Sequence, residues 1–277
     1  MTGSSSIQTK TITEMILEDP DVDNRAVFAK MYGVLGGFKD QILERFELSP
    51  HASVEPYNQW EGPHGDFKGS LHAWSGSEVE WFVHSWAGNP AKSILDMNLT
   101  VWLGPHIDVP HLVLVFGTVP NPYHYSDLLP RVDLPANVEY LDRYYEPENE
   151  PFMALRADDR WHWSVSHGSY MRAILTPAAY SFMGARTDEI VDAFCDAATE
   201  RFNRWLALVD AAEIVPVADR AALQARDHLL RRTCYDRDPM NALAANWLGQ
   251  DMVDSLVSHR QGAAQMAEVA SATRATS

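Results

Sequence analysis

The chain has 277 residues, 46% of them hydrophobic, and carries 38 acidic against 22 basic side chains for a formal charge of −16. That length accommodates one large core, the acidity excludes a nucleic-acid binder that needs a basic face for phosphate, and two cysteines, Cys195 and Cys234, make neither a metal-ligand spacing nor a disulfide framework. No apolar run reaches the roughly 18–20 residues of a membrane-crossing helix, and MTGSSSIQTK at the N-terminus has no apolar signal-type segment, so a cytoplasmic protein is expected.

Residues 1–15 and 261–277 are small and polar and are expected to be disordered tails around a single domain over 16–260. In residues 24–48, Val27, Phe28, Met31, Leu35, Phe38, Ile42, Leu43 and Phe46 recur at three- and four-residue steps and predict a helix. Gly36 and Gly37 within it predict a kink or close packing. After Pro56 the pattern changes to GSLHAWSG, VEWFVHSW, MNLTVWL and HLVLVFGT, short Val-, Trp- and Phe-rich runs between Gly, Pro, Ser and Asn, which predict antiparallel strands. Strand alternation puts His72 on a face with Ser70 and Trp74, and His84 on a face with Phe82 and Trp86. RWHWSVSHG and SYMRAIL predict either one more strand or a strand and a helical turn.

From Thr176 onward the periodicity is helical. Thr187 suits an N-cap, Asp188 and Glu189 suit the positive end of the helix dipole, and Ile190, Phe194, Ala198, Trp205 and Val209 trace a buried stripe. Further helices are predicted over 218–232 and 239–257. Helix, strand block, then helices gives an α+β fold, an α/β/α sandwich with a central, mostly antiparallel sheet flanked by helices. YGVLGGF has neither the spacing nor the preceding strand of a nucleotide loop, so bound NAD, FAD or ATP is not indicated.

Three constellations could carry chemistry. GPHIDVPHLVLVFGT holds His106, Asp108 and His111 and reads as a polar loop, a cluster of proton donors, or part of a two-His-one-carboxylate iron site completed by His111, His124, His162 or His167. In YDRDPMN, Asp236 and Asp238 precede Pro239. One is an N-cap, or else a carboxyl turned into an aromatic pocket, where desolvation raises its pKa and Arg237 or the helix dipole lowers it. Trp74, Trp81, Trp86, Trp102, Trp161 and Trp163, interleaved with His72, His84, His162 and His167, are core or the lining of a cavity for a flat ligand. Arg220, Arg226, Arg231, Arg232 and Arg237 form either a solvated face paired with Asp219 and Asp227 or a docking site for carboxylates.

GSLHAWSG, WFVHSW, MNLT, DVPHLVLVFGT, VDLPANVEYLDRYYEP and, most of all, RDHLLRRTCYDRDPMNALAANWLGQDMVDSLV resemble the red chlorophyll catabolite reductase family, over about residues 67–257. The resemblance implies the α/β/α fold of the ferredoxin-dependent bilin reductases and an oxidoreductase, here a cytoplasmic, bacterial one. A linear tetrapyrrole would bind between the sheet and the C-terminal helices and be reduced by single electrons from external ferredoxin, with no bound cofactor or metal. The catalytic aspartate of the family falls on Asp238 or Asp236, with Asp238 favoured, and its catalytic glutamate falls on Val115, which is no acid. His111 or Asp108 would then deliver the proton, or the reaction differs. His72, His84, Asn98, Trp102, His106 and Val115 are expected to line the ligand, and Arg231 and Arg232 to meet its propionates or ferredoxin. The partners implied are the tetrapyrrole, ferredoxin and, as one option for assembly, a second copy in a homodimer. A non-haem iron oxygenase and a non-catalytic pigment-binding protein are the competing readings.

Overall fold

The computed structural model describes residue 14, residues 18–166 and residues 168–275. The helix predicted near the N-terminus is Arg25–Arg45 (α1), unbroken across its glycines, with Met31, Leu35, Phe38 and Ile42 buried on one stripe. The kink or close packing expected at Gly36 and Gly37 is not seen, since a Cβ added at either would meet nothing within 4 Å. The Asn24 side chain does not cap this helix; it is buried and reaches Thr118 Oγ1 (3.2 Å) and Lys92 O (3.3 Å), pinning the helix start to the sheet.

Strands Ser49–Pro50 (β1), Trp60–Glu61 (β2), Lys68–Ser75 (β3), Val79–Gly88 (β4), Leu95–Leu103 (β5), His111–Thr118 (β6) and Pro122–Leu129 (β7) follow. Helices Val138–Tyr144 (α2) and Glu146–Ala157 (α3), strand Trp161–Trp163 (β8), helix Ser169–Ile174 (α4) and strand Tyr180–Gly184 (β9) come next. The chain closes with Asp188–Asp210 (α5), Val217–Asp236 (α6), Met240–Leu248 (α7), Gln250–Arg260 (α8) and Ala263–Ala275 (α9). The sheet runs β1-β3-β4-β5-β6-β7-β9-β8, with β2 also on β3, and its pairs are antiparallel.

Period-two alternation gives this sheet two different faces. On the first, Met97, Leu99 and Val101 of β5, Leu112, Leu114 and Phe116 of β6 and Phe82 of β4 pack against α1 and against Phe194, Phe202 and Trp205 of α5. On the second, Val83, Trp102, Val113, Val115 and Leu129 pack against Leu230, Cys234 and Tyr235 of α6. Helices on both sides of one antiparallel sheet make the α/β/α sandwich expected from the sequence.

Three segments depart from the sequence reading. The helical stretch expected from Thr176 onward begins with β9, which completes the sheet beside β7. The helix expected over 239–257 breaks at Gly249, whose φ of +76° is the left-handed conformation that favours glycine. Residues 261–277, expected to be a disordered tail, are helical from Ala263 to Ala275. Ala is the strongest helix former, Gly262 (φ +69°) turns the chain tightly over the Trp81 ring, and Gln265 and Met266 are buried. The tail expected over 1–15 falls, apart from residue 14, outside the described residues. Among the described residues no helix is long and apolar enough to cross a membrane.

Candidate active site

The second face of the sheet carries polar side chains in a core position. Reading β5 at every other residue gives Asp96, Asn98, Thr100 and Trp102 on that face. Asn98 sits opposite Ser85 of β4 and Val115 of β6, and Val115 sits opposite Tyr125 of β7. Thr100 Oγ1 donates to Asn98 Oδ1 (2.7 Å), which orients the amide on the sheet.

Beside this patch stand two carboxyls within the electrostatic reach of one guanidinium. Asp96 accepts from the Tyr123 hydroxyl (3.3 Å) and lies 3.7 Å from Arg260 Nη2, which comes from the end of α8. Asp238, in the turn between α6 and α7, accepts from the Met240 N–H (2.9 Å) and lies within electrostatic reach of Asp96, Tyr123, Tyr125 and Arg260. Burial pushes the pKa of both carboxyls up, more than Arg260 pulls it down. The shift favours the protonated form relative to a carboxyl in open water, the direction a general acid needs.

These side chains lie together where the second sheet face meets the ends of α6 and α8. Asp96, Tyr123, Tyr125, Cys234, Tyr235 and Asp238 are all half-buried. The Asp96 side chain keeps 36% of its surface accessible, and the protein packed around it raises its pKa by desolvation. Four buried polar atoms at the same junction of β5, α6 and α8 lack a hydrogen bond of good geometry: Trp102 Nε1, Tyr235 Oη, Arg260 Nε and Gln261 Oε1. Each such atom costs about 1–3 kcal/mol unless something pairs with it. Two shallow clefts elsewhere, one at Asp108, Arg143 and Ile214 and one at Glu61, Leu248 and Met252, bring no comparable chemistry together.

Asp127, also on this face, is spoken for. It accepts from the N–H groups of Leu128 (2.9 Å) and Thr176 (3.0 Å) and from the Thr176 hydroxyl, and so ties β7 to the loop before β9.

The structure brings together Asp238, Asn98, Trp102 and Val115 among the expected residues and disperses the others. Asp236, the last residue of α6, is exposed and accepts from Gln261 Nε2 (3.2 Å). His72 and His84 are paired across β3 and β4 on the first face, where His84 Nδ1 lies 3.2 Å from the Tyr32 hydroxyl and burial takes its pKa down to about 3. Strand alternation therefore places both on the opposite face of the sheet from Asn98 and Trp102. The cluster in GPHIDVPH does not converge. His106 Nε2 is 3.8 Å from Glu78, Asp108 accepts from the Tyr144 hydroxyl (2.7 Å), and His111 turns inward to Asp227.

His111 Nδ1 accepts from the Leu103 N–H (3.0 Å), which leaves the ring proton on Nε2, 3.2 Å from Asp227 Oδ1. Fully buried and with its pKa lowered to about 4 by desolvation, it is a neutral structural histidine and not the proton donor expected of it. His124 is enclosed by Phe116, Phe182 and Phe194 on the first face, and His167 lies outside the described residues.

Arg231 is likewise interior. Only 1% of its side chain is exposed, its Nη2 donates to Gln265 Oε1 (2.7 Å) and lies 3.8 Å from Glu80, and it cannot reach a docking protein. Arg232, its neighbour, is exposed. Arg226 clamps the carbonyls of Pro130 and Val132, and Asp227 pairs with Arg131 rather than with an arginine of its own helix. Of the six tryptophans considered as a cavity lining, Trp74, Trp86, Trp161 and Trp163 pack on the first-face core and only Trp81 and Trp102 on the second.

Sequence reasoning missed Asp96, Tyr123, Tyr125, Tyr235 and Arg260. For the first three a signal existed, because LDMNLT and PYHYSDLL read at period two place Asp96 with Asn98, and Tyr123 with Tyr125. Arg260 ends α8, the helix that starts after the turn at Gly249, and no local pattern announces its place beside Asp96.

The family model described as red chlorophyll catabolite reductase (RCC reductase) matches residues 38–260 of the chain. Among solved structures, phytochromobilin synthase from tomato, in complex with biliverdin, superposes with a TM-score of 0.70 over 83% of this chain and 81% of that one, at 15% sequence identity. At that identity the likeness is one of fold. No curated protein matches the chain.

Proposed function

Because the chain belongs to the red chlorophyll catabolite reductase family, and so among the oxidoreductases that reduce tetrapyrroles with ferredoxin, we propose that it reduces a linear tetrapyrrole between β4–β7 and α6–α8, with Asp238 as a proton donor. The observation that carries this reading is the grouping on one sheet face of Asn98 and Trp102, two carboxyls biased toward their protonated form, and buried polar atoms of Trp102, Tyr235 and Arg260 that lack a hydrogen bond of good geometry. The flat, conjugated ligand would lie against the strands. Electrons would come one at a time from reduced ferredoxin. The chain's own task is to hold the ligand, exclude water and protonate it at a fixed atom, which is positioning joined to general acid catalysis. Exposed Arg232 and Arg237, flanking Asp236 at the end of α6, support a basic rim where an acidic ferredoxin could dock despite the charge of the whole chain.

The test is an anaerobic absorbance titration of the protein with biliverdin, followed by addition of reduced ferredoxin. Bleaching or a shift of the visible band is expected. Asp238→Asn should bind biliverdin with an affinity within a few-fold of the unaltered protein and lose about 100-fold or more of the reduction rate, the scale of a lost general acid. Full activity in that variant would overturn the assignment of Asp238. A second reading, a pigment-binding protein that catalyses nothing, is favoured by Val115 standing where the resemblance expects a glutamate. Tight binding with no spectral change under reduced ferredoxin would select it.

A further inference from the structure

Across much of this acidic surface, exposed cations are neutralised where they stand. Arg25 pairs with Asp23, Lys30 with Asp192, Arg45 with Asp210, and Arg160 with Asp158 and Glu189. Arg172 of α4, Arg237 in the turn after α6, and Arg232 five residues earlier on α6 are exposed too, and among the described residues none of these three pairs with a carboxylate. Arg172 Nη1 donates to the Ser166 carbonyl (2.8 Å), which brings its guanidinium back toward the start of α4. The Arg237 guanidinium stands over the ring of Tyr170, also on α4, 4.8 Å from its centre. That ring is 51% exposed. A tyrosine held by one arginine, with a second on the same short helix, has the composition of an interface centre, where Tyr and Arg carry much of the binding energy.

The patch backs onto the turn that carries Asp238. A Cβ on Gly168 would stand 3.0 Å from Pro239 Cγ, so the start of α4 packs on the residue that follows Asp238. Ile174, at the end of α4, packs on the second-face cluster that contains Val115. With a formal charge of −16, the chain repels an acidic protein over most of its surface. At physiological ionic strength exposed charges more than about 8 Å apart are largely screened, so the local guanidinium groups decide what happens at contact. Repulsion elsewhere and attraction at this patch together select one orientation.

We propose that Tyr170, Arg172 and Arg237, with Arg232 at the rim, form the docking surface for an acidic one-electron donor protein of the ferredoxin type. The inference rests on the reductase reading above. Each encounter oxidises one reduced donor and passes one electron to the tetrapyrrole behind the Asp238 turn. Two encounters, with two protons drawn from water, reduce one double bond. The arginines steer the donor to the patch, and the Tyr170 ring anchors the contact.

The experiment follows anaerobic biliverdin reduction with two donors: a reduced two-iron, two-sulfur ferredoxin at varied concentration, and reduced methyl viologen, which needs no docking surface. It compares the unaltered protein with Arg172→Glu, Tyr170→Ala and, as a control on a distant face, Arg25→Glu. Arg172→Glu should raise the KM for ferredoxin at least tenfold and flatten its dependence on salt, and Tyr170→Ala should raise it at least fivefold. Biliverdin affinity and the viologen rate should stay within twofold in both, and Arg25→Glu should leave the KM within twofold. A KM unchanged in Arg172→Glu and Tyr170→Ala refutes this inference alone. So do equal losses with both donors, which mark damage to the bilin site, and so does an equal rise of KM in Arg25→Glu, which marks a general charge effect. Reduction by viologen and never by ferredoxin refutes the acidic partner. Unaltered protein that binds biliverdin and reduces it with neither donor refutes the reductase reading, and this inference with it.

Discussion

The Asp227→Asn substitution removes one charge from a buried triad and leaves its shape unchanged. Arg131, with no exposed side-chain surface, donates from Nε (3.0 Å) and Nη2 to Asp227 Oδ2, from Nη2 to Gly104 O (3.1 Å), and from Nη1 to Ile107 O. The other oxygen of Asp227 faces the protonated Nε2 of His111. Both partners are donors, so the central residue must accept on both sides. Asparagine accepts on one side only, and its amide N–H groups would point either at the guanidinium or at the imidazole N–H. Leaving the cation buried without its carboxylate should cost about 3–5 kcal/mol. An unfolding entropy near 2.1 cal/mol/K per residue over 277 residues turns that into a Tm lower by about 5–9 °C. Thermal unfolding followed by circular dichroism at pH 7 measures it. A Tm within about 2 °C of the unaltered protein would show that the triad is solvated or already broken, and the structural role assigned to His111 would fall with it.

Stability should decline on mild acidification, because burial depresses His84 and His124 to about 3 and His111 to about 4 while the unfolded chain titrates near 6.5. Below that value the unfolded chain binds more protons, so each histidine removes about 1.4 kcal/mol per pH unit, or about 2 kcal/mol between pH 7 and 5. Urea unfolding at the two pH values checks this, and His124→Gln should make the slope shallower. Gly36→Ala and Gly37→Ala should each stabilise α1 by about 0.5–1 kcal/mol, since the new methyl meets open space and the helix loses a flexible residue. A destabilised variant would mean that the expected kink or close packing exists in solution. Gly117→Ala should push Tyr123 off the sheet, lose its bond to Asp96 and slow biliverdin reduction by about tenfold, the worth of one hydrogen bond. An unchanged rate would separate Tyr123 from the chemistry.

The periodic parts of this chain were legible in the sequence because a periodic pattern states which residues share a face. The stripe of α1, the Thr187 cap of α5, whose side chain accepts from Ile190 N, and the four long strands β3 to β6 are local facts of this kind. So was the sandwich that follows from their order. β7 and β9 escaped notice because Pro122 and the small residues around Tyr180 dilute the alternation, and α9 escaped because an Ala-rich segment looks the same in a tail and in a helix until Gln265 and Met266 find buried partners.

For the site, the available chemistry could be read along the chain: Asp238 before a proline-led turn, Asn98 and Trp102 on a strand, and no acid at Val115. Which of these groups meet was decided by tertiary structure alone. Alternation sends His72 and His84 to one side of the sheet and Asp96 to the other, and no motif says which side the C-terminal helices will cover. His111 became structural because Asp227, 116 positions further along the chain, folds back upon it, and Arg260 stands beside Asp96 at the end of the helix that starts after the left-handed turn at Gly249. Those contacts join residues far apart in sequence, and electrostatics between such residues depends on distance through the fold and not along the chain.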